Sequence, residues 1–138
     1  MAFLPVNHEA GMTRLVAAAN STTFTRGNAI VDNGSGLFTN AASGTTVDVR
    51  YLAAETVTTT SSGQLINAWR VSPSVDVDAD CDAAPAQTDV GTVCDLAGAG
   101  TINPDASANN LFYIERINGV VGTSTNVRGH FVEGAPNA

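Results

Sequence analysis

Lysine is missing from this chain altogether, and its six basic residues are all arginine: Arg14, Arg26, Arg50, Arg70, Arg116 and Arg128. That excludes a Walker-type phosphate loop and any Schiff-base or lysine-nucleophile chemistry. Charge of either sign is scarce, at 14% of residues, and thirteen acids against six arginines leave a formal net charge of -7. A polyanion needs a clustered cationic face. Scattered arginines, outnumbered by carboxylates, argue against nucleic acid as a partner.

Cysteine occurs only at Cys81 and Cys94, too few for a disulfide framework. The two flank one segment, so a single bridge and a pair of free, partly buried thiols are both open readings. The opening Met-Ala-Phe-Leu-Pro-Val-Asn-His-Glu has neither the basic flank nor the apolar run of a secretory signal. Reduced thiols in a cytosolic place of synthesis are therefore expected. No stretch approaches the roughly 18 apolar residues that span a bilayer, and a soluble chain is expected.

Catalytic constellations are also missing. His8 and His130 lie far apart and neither has a second ligand beside it, which argues against zinc. Ser35 sits in a plain Gly-Ser-Gly turn, and there is no Gly-x-Ser-x-Gly elbow. Thirteen acids leave a converging glycosidase pair open, but aromatic residues at 6% are few for stacking sugars. Asn20-Ser21-Thr22 fits a glycosylation acceptor, but no export signal accompanies it. The chain is not expected to be an enzyme, and no cofactor is implied.

What the chain does contain is Ala, Val, Thr, Ser and Gly in quantity, with hydrophobic residues at 43%. β-Branched side chains suit pleated sheets and Gly suits the turns between them. A chain of 138 residues buries roughly two-thirds of its extended surface, enough for one core. Strand grammar runs from Thr13 to Ala19, through Thr22 to Thr25 and Ala29 to Asp32. The turn Asn33-Gly34-Ser35-Gly36 then leads to Leu37 to Asn40. The segment from Thr46 to Ala53 predicts a half-buried strand with Val47, Val49 and Tyr51 on one face. Gln64 to Ser72 carries the only tryptophan, Trp69, and predicts burial on both faces. Further strands are expected at Val75 to Asp80, Val90 to Asp95, Leu111 to Asn118 and Asn126 to Glu133. Gly98-Ala99-Gly100 and Asn103-Pro104-Asp105 read as turns. The fold class that follows is all-β, a compact β-barrel or β-tulip-like sandwich of about eight to ten short strands. Residues 1–20 form an N-terminal arm or first strand and residues 21–138 the barrel domain.

The alternating acids Asp76, Asp78, Asp80 and Asp82 resemble a calcium loop, yet counting from Asp76 puts Cys81 where a loop of that kind needs Gly and Gln87 where it needs an acid. On a strand, alternate residues stand about 6.6 Å apart, which makes a row and not a cage. Three readings stay open: the solvated face of an edge strand, an arginine-binding contact to a neighbouring subunit, and a divalent-cation site. The arginines likewise read either as forks for carboxylates on neighbouring subunits or as ordinary surface charge.

Four segments carry a family likeness. They are Phe24-Thr25-Arg26-Gly27-Asn28-Ala29-Ile30-Val31, Ala53-Ala54-Glu55-Thr56-Val57 with its Thr-Ser tip, Val90-Gly91-Thr92-Val93-Cys94-Asp95-Leu96, and Phe112-Tyr113-Ile114 with the closing Val127 to Val132 strand. In their order, across residues 13–133, the chain resembles the small capsid decoration, or cement, proteins of tailed bacteriophages. The resemblance implies a barrel added to the outer surface of an expanded head, a virion location reached after synthesis in the host cytoplasm. It implies a homotrimer bridging major capsid protein subunits, with neither membrane nor nucleic acid as a partner. Subunit contacts are expected at Phe3 and Leu4 of the arm and at Arg14, Arg26, Arg50 and Arg70. The resemblance assigns no role to the acidic loop 76–89, which is left to face solvent or a neighbour. The alternatives are another virion part, such as a head-fibre base or tail component, and a calcium-dependent binding or adhesion module suggested by the aspartates and Thr-rich strands.

Overall fold

Turn chemistry sets the first register. Gly34 and Gly36 adopt φ of +92° and +80°, and the Asp32 carboxylate accepts both of their N–H groups at 2.6 and 3.2 Å. Asn33 Oδ1 accepts the N–H of Ser35 at 2.9 Å, so the turn is tied down by side chains that bond their own backbone. A hairpin follows directly, with Ile30 opposite Asn40 and Asp32 opposite Phe38.

The computed structural model describes residues 2–6 and 12–133, and within them thirteen strands. In chain order these are β1 (Phe3–Pro5), β2 (Thr13–Ala18), β3 (Thr23–Phe24), β4 (Ala29–Asp32), β5 (Phe38–Asn40), β6 (Tyr51–Ala53), β7 (Val57–Thr58), β8 (Gln64–Arg70), β9 (Val77–Cys81), β10 (Val93–Gly98), β11 (Thr101–Asn103), β12 (Phe112–Ile117) and β13 (Asn126–Phe131). The protein is all-β, with a 3-10 turn at Gln87–Asp89. Two closed arrangements dominate. The order β2-β5-β4-β6-β8 forms one barrel. The order β9-β11-β10-β12-β13 closes on itself because β13 also pairs β9, and β1 adds to β9 beside β11. A short ribbon of β3 and β7 completes the set.

Side-chain alternation explains how the barrels meet. Val16, Ala18, Phe24, Ile30, Ala53, Ile66 and Ala68 fill the first barrel. The neighbours of these residues on the same strands, Ala29, Leu52 and Trp69, point the other way. They join Phe3, Val77, Ala79, Leu96, Ile102, Phe112, Ile114, Val127 and Phe131 in the second core. β4, β6 and the Ala68-Trp69 end of β8 are thus buried on both faces, as the Ala68-Trp69 segment predicts. Crowding in the second core also needs Gly129, where a Cβ would overlap the Tyr113 carbonyl oxygen and the Phe112 ring.

Three expectations are corrected here. Thr46 to Ala53 is a strand only at Tyr51–Ala53, because β4 supplies partners only for Tyr51 and Leu52. Val47 is 43% exposed and Val49 is buried, so they do not share a face. The turn region after Gly100 contains β11, which pairs β9 in parallel (Ile102 with Cys81) and β10 antiparallel (Ile102 with Leu96). Phe3, expected as a subunit contact, has 0% exposure inside its own core. It stands edge-on to Phe131 at 5.0 Å and lies 6.1 Å from Phe112. His8 lies outside the described residues, as do Met1 and residues 134–138.

Candidate functional site

Because β9 buries Val77, Ala79 and Cys81, Asp78 and Asp80 emerge on its outer face, while Asp76 and Asp82 sit just beyond its two ends, exposed. Cross-strand pairing places Arg128 directly opposite Asp78. The guanidinium forks onto the carboxylate, Nε to Oδ1 at 2.9 Å and Nη2 to Oδ2 at 3.1 Å. Asn118 Nδ2 adds a third donor at 3.0 Å. The Arg128 hydrogen bonds, helped by Asn118 and opposed in part by burial, hold the Asp78 carboxyl below its ordinary range. Asp80 accepts from Asn126 Nδ2 at 3.0 Å and from the Ala2 N–H at 3.1 Å. The aspartates on the strand are therefore engaged within the chain: Asp78 takes an arginine of its own sheet, and Asp80 ties the first residues to β9. Among the described residues no three His, Cys, Asp or Glu side chains are grouped to hold a metal ion.

The arginines chosen from sequence take separate positions and do not converge. Arg26 lies over the Trp69 ring, 4.7 Å from its centroid, and Arg70 over Tyr51 at 5.5 Å. Arg50 pairs with Asp48 at 3.4 Å and keeps half of its side chain in solvent. Arg14 is exposed and donates from Nη1 to the Thr13 carbonyl at 3.1 Å. Leu4, next to the buried Phe3, is 42% exposed.

Compared with known proteins, the chain matches no family model, and no curated protein matches its sequence.

The two cysteines are free thiols buried in the second core. Burial above all, with Asp82 and Asp80 adding to it, pushes the Cys81 thiol up to about 12. Cys94 is raised as well, again chiefly by burial and next by Cys81 itself. Such thiols pack as small apolar groups and are poor nucleophiles.

His130 Nδ1 lies 2.9 Å from Glu115 Oε1, and its ring stacks on Tyr113 with centroids 5.0 Å apart. This pair has the base and orienter of a hydrolytic triad. Among the described residues no hydroxyl or thiol hydrogen-bonds to the ring.

Sequence reasoning misses Asp95. It is buried in β10, and its two oxygens accept the N–H groups of Ala108, Asn109 and Asn110 at 3.1, 2.7 and 2.9 Å. This carboxylate shapes the loop before β12, where Asn110 takes φ of +55°. A signal exists in the sequence, since an acid inside the apolar run Val93-Cys94-Asp95-Leu96 must find partners when buried.

Large apolar side chains reach the surface on several elements. Leu15 (63%) and Leu65 (59%) do so on β2 and β8, and Val120 and Val121 at the tip between β12 and β13.

Proposed function

We propose that this chain is a non-enzymatic structural protein of a phage virion, decorating the outer surface of an expanded capsid and bridging major capsid protein subunits as a homotrimer. The observation that supports this reading is a division of labour among the side chains. The acids and arginines that could have formed a site are spread through the chain's own framework: Asp78 on Arg128, Asp95 on a loop, Arg26 on Trp69 and Arg70 on Tyr51. Leucines and valines, meanwhile, are exposed on β1, on the outer face of β2 and β8, and at the β12–β13 tip. A rigid double barrel with apolar contacts on several sides suits a protein whose neighbours surround it. Many modest contacts repeated by symmetry then stabilise a shell without one tight site. The order of strands and turns that resembles cement proteins points the same way.

The test is the copy number of the chain relative to the major capsid protein in purified particles, by quantitative mass spectrometry. A ratio near unity supports decoration of the shell. A few copies per particle moves the chain to a fibre or tail, and absence from particles overturns the reading.

A further inference from the structure

Closure of the first barrel is uneven. β2 pairs β8 along all six of its residues, from Thr13 opposite Trp69 to Ala18 opposite Gln64. On its other side β2 meets β5 at one pair only, Ala18 with Phe38. The direction of the backbone groups between those limits follows from the ladder. Asn67 turns its main chain toward β6, since its carbonyl accepts the Ala54 N–H at 3.0 Å and its N–H goes to Glu55 Oε2 at 2.6 Å. Leu15, directly opposite Asn67, is therefore in a non-hydrogen-bonded pair with β8, and its N–H and C=O point away from β8. The period of two gives Ala17 the same direction, and Ala19 confirms it by donating to the Phe38 carbonyl at 2.9 Å. The Leu15 N–H and C=O and the Ala17 N–H thus lie on a strand edge that β5 does not reach.

Among the described residues that edge has little of the usual protection. Edge strands are commonly guarded by lysine, proline, a bulge or a covering segment. Residues 13–17 contain no Lys and no Pro, the register with β8 has no shift, and their one charged side chain, Arg14, alternates to the face opposite Leu15 and Ala17. The outer face beside the edge carries Leu15, Ala17 and Leu65, with Leu15 and Leu65 among the most exposed large apolar side chains of the described residues. An open backbone ladder next to apolar side chains dictates its ligand: an extended strand with apolar residues at alternate positions.

We propose that the β2 edge at Leu15 and Ala17 is a docking site for an extended segment of another protein, which adds to the first barrel as a further strand. Charge selects the occupant. The chain as a whole carries a formal -7, so the favoured segment is a basic one, from a protein of opposite charge balance. Main-chain hydrogen bonds supply affinity in strand addition and the alternate side chains supply selectivity. The inference does not depend on the capsid reading, because any protein partner could present such a segment.

The test uses the full chain and a fluorescent, end-capped peptide alternating valine with threonine and bearing a lysine at each end. Titration should shift the amide resonances of Leu15 and Ala17, and a peptide N-methylated at alternate residues should not bind. Ala17→Pro removes an outward N–H that the barrel does not use, so the fold should persist, as its thermal midpoint will show, while the peptide weakens by about tenfold or more. Leu15→Lys leaves the main-chain groups in place and is the second variant, expected to weaken binding comparably by placing a solvated charge on the edge. Equal binding by both variants, shifts confined to other strands, or no binding at all would overturn the proposal. So would a concentration-dependent dimer, seen by sedimentation and lost in Ala17→Pro, because the occupant would then be a second copy.

Discussion

Replacing Phe3 with Ala tests how firmly the N-terminal strand belongs to the barrel. The ring has 0% exposure and packs edge-on against Phe131 at 5.0 Å, with Phe112 at 6.1 Å. Phe-to-Ala changes in cores cost about 3–5 kcal/mol, from lost transfer energy and the cavity left behind. The edge-to-face ring pair accounts for about 1 kcal/mol of that. β1 has only three residues and, among the described residues, no strand beyond it, so its surroundings can relax, and the lower end, about 3 kcal/mol, is expected. For 138 residues the unfolding entropy is about 0.3 kcal/mol per kelvin, so the thermal midpoint should fall by about 10 °C. Leu4 supplies the internal control. It is the next residue, points to the opposite face and is 42% exposed, so Leu4→Ala should cost about 0.5 kcal/mol. Urea unfolding followed by the fluorescence of Trp69 gives both numbers. If Phe3→Ala stays within about 1 kcal/mol of the parent, or matches Leu4→Ala, the ring is not part of the core and the reasoning fails.

Asp78→Asn should destabilise the chain by about 1 kcal/mol at neutral pH, because a bidentate, partly buried ion pair is worth that order. The Asp78 carboxyl is held below its ordinary 3.8, so its contribution is present above that value and lost as pH falls through the lower folded-state value. Stability curves of parent and variant should therefore converge in acid, and a gap that persists or widens there would contradict the Arg128 assignment. Cys81 and Cys94 should resist iodoacetamide at pH 8 in the native chain and react fully in denaturant. A thiol raised to about 12 is almost wholly protonated at that pH. Intact-mass detection of rapid native alkylation would show that one of them is not buried.

Elements specified by neighbours in sequence are readable from it, and those specified by distant pairing are not. Ala29 to Asp32 and the Asn-Gly-Ser-Gly turn are predicted and found, because glycine backbone freedom and Asx hydrogen bonding act within a few residues. The two-sided burial around Trp69 is legible from its apolar content, though not the reason for it, which is that the strand separates two cores. β11 escapes notice because its three residues are strand only through β9 and β10, and its flanking glycines and proline read as turns. The four aspartates attract attention as a pattern, but their meaning lies in Arg128, Asn118 and Asn126, far along the chain, where nothing local announces a partner. Phe3 misleads for the same reason: a short segment with a proline looks like an arm until Phe112 and Phe131 are placed around it.

The pairing of β1 and β13 with β9 also constrains when this protein can become native. Phe3 leaves the ribosome before any of its partners, and its site is completed only when Phe131 has emerged and β13 has lain down beside Asp78. The barrel of β2, β4, β5, β6 and β8 uses residues 13–70 alone and can organise earlier, with Leu52 and Trp69 still facing water. A nascent chain stalled between those points carries an exposed apolar wall and an unpaired first strand, the condition in which misassembly and aggregation are most frequent. Folding of this molecule is therefore a race decided by β12 and β13, and pairings of such long sequence separation are slow to form.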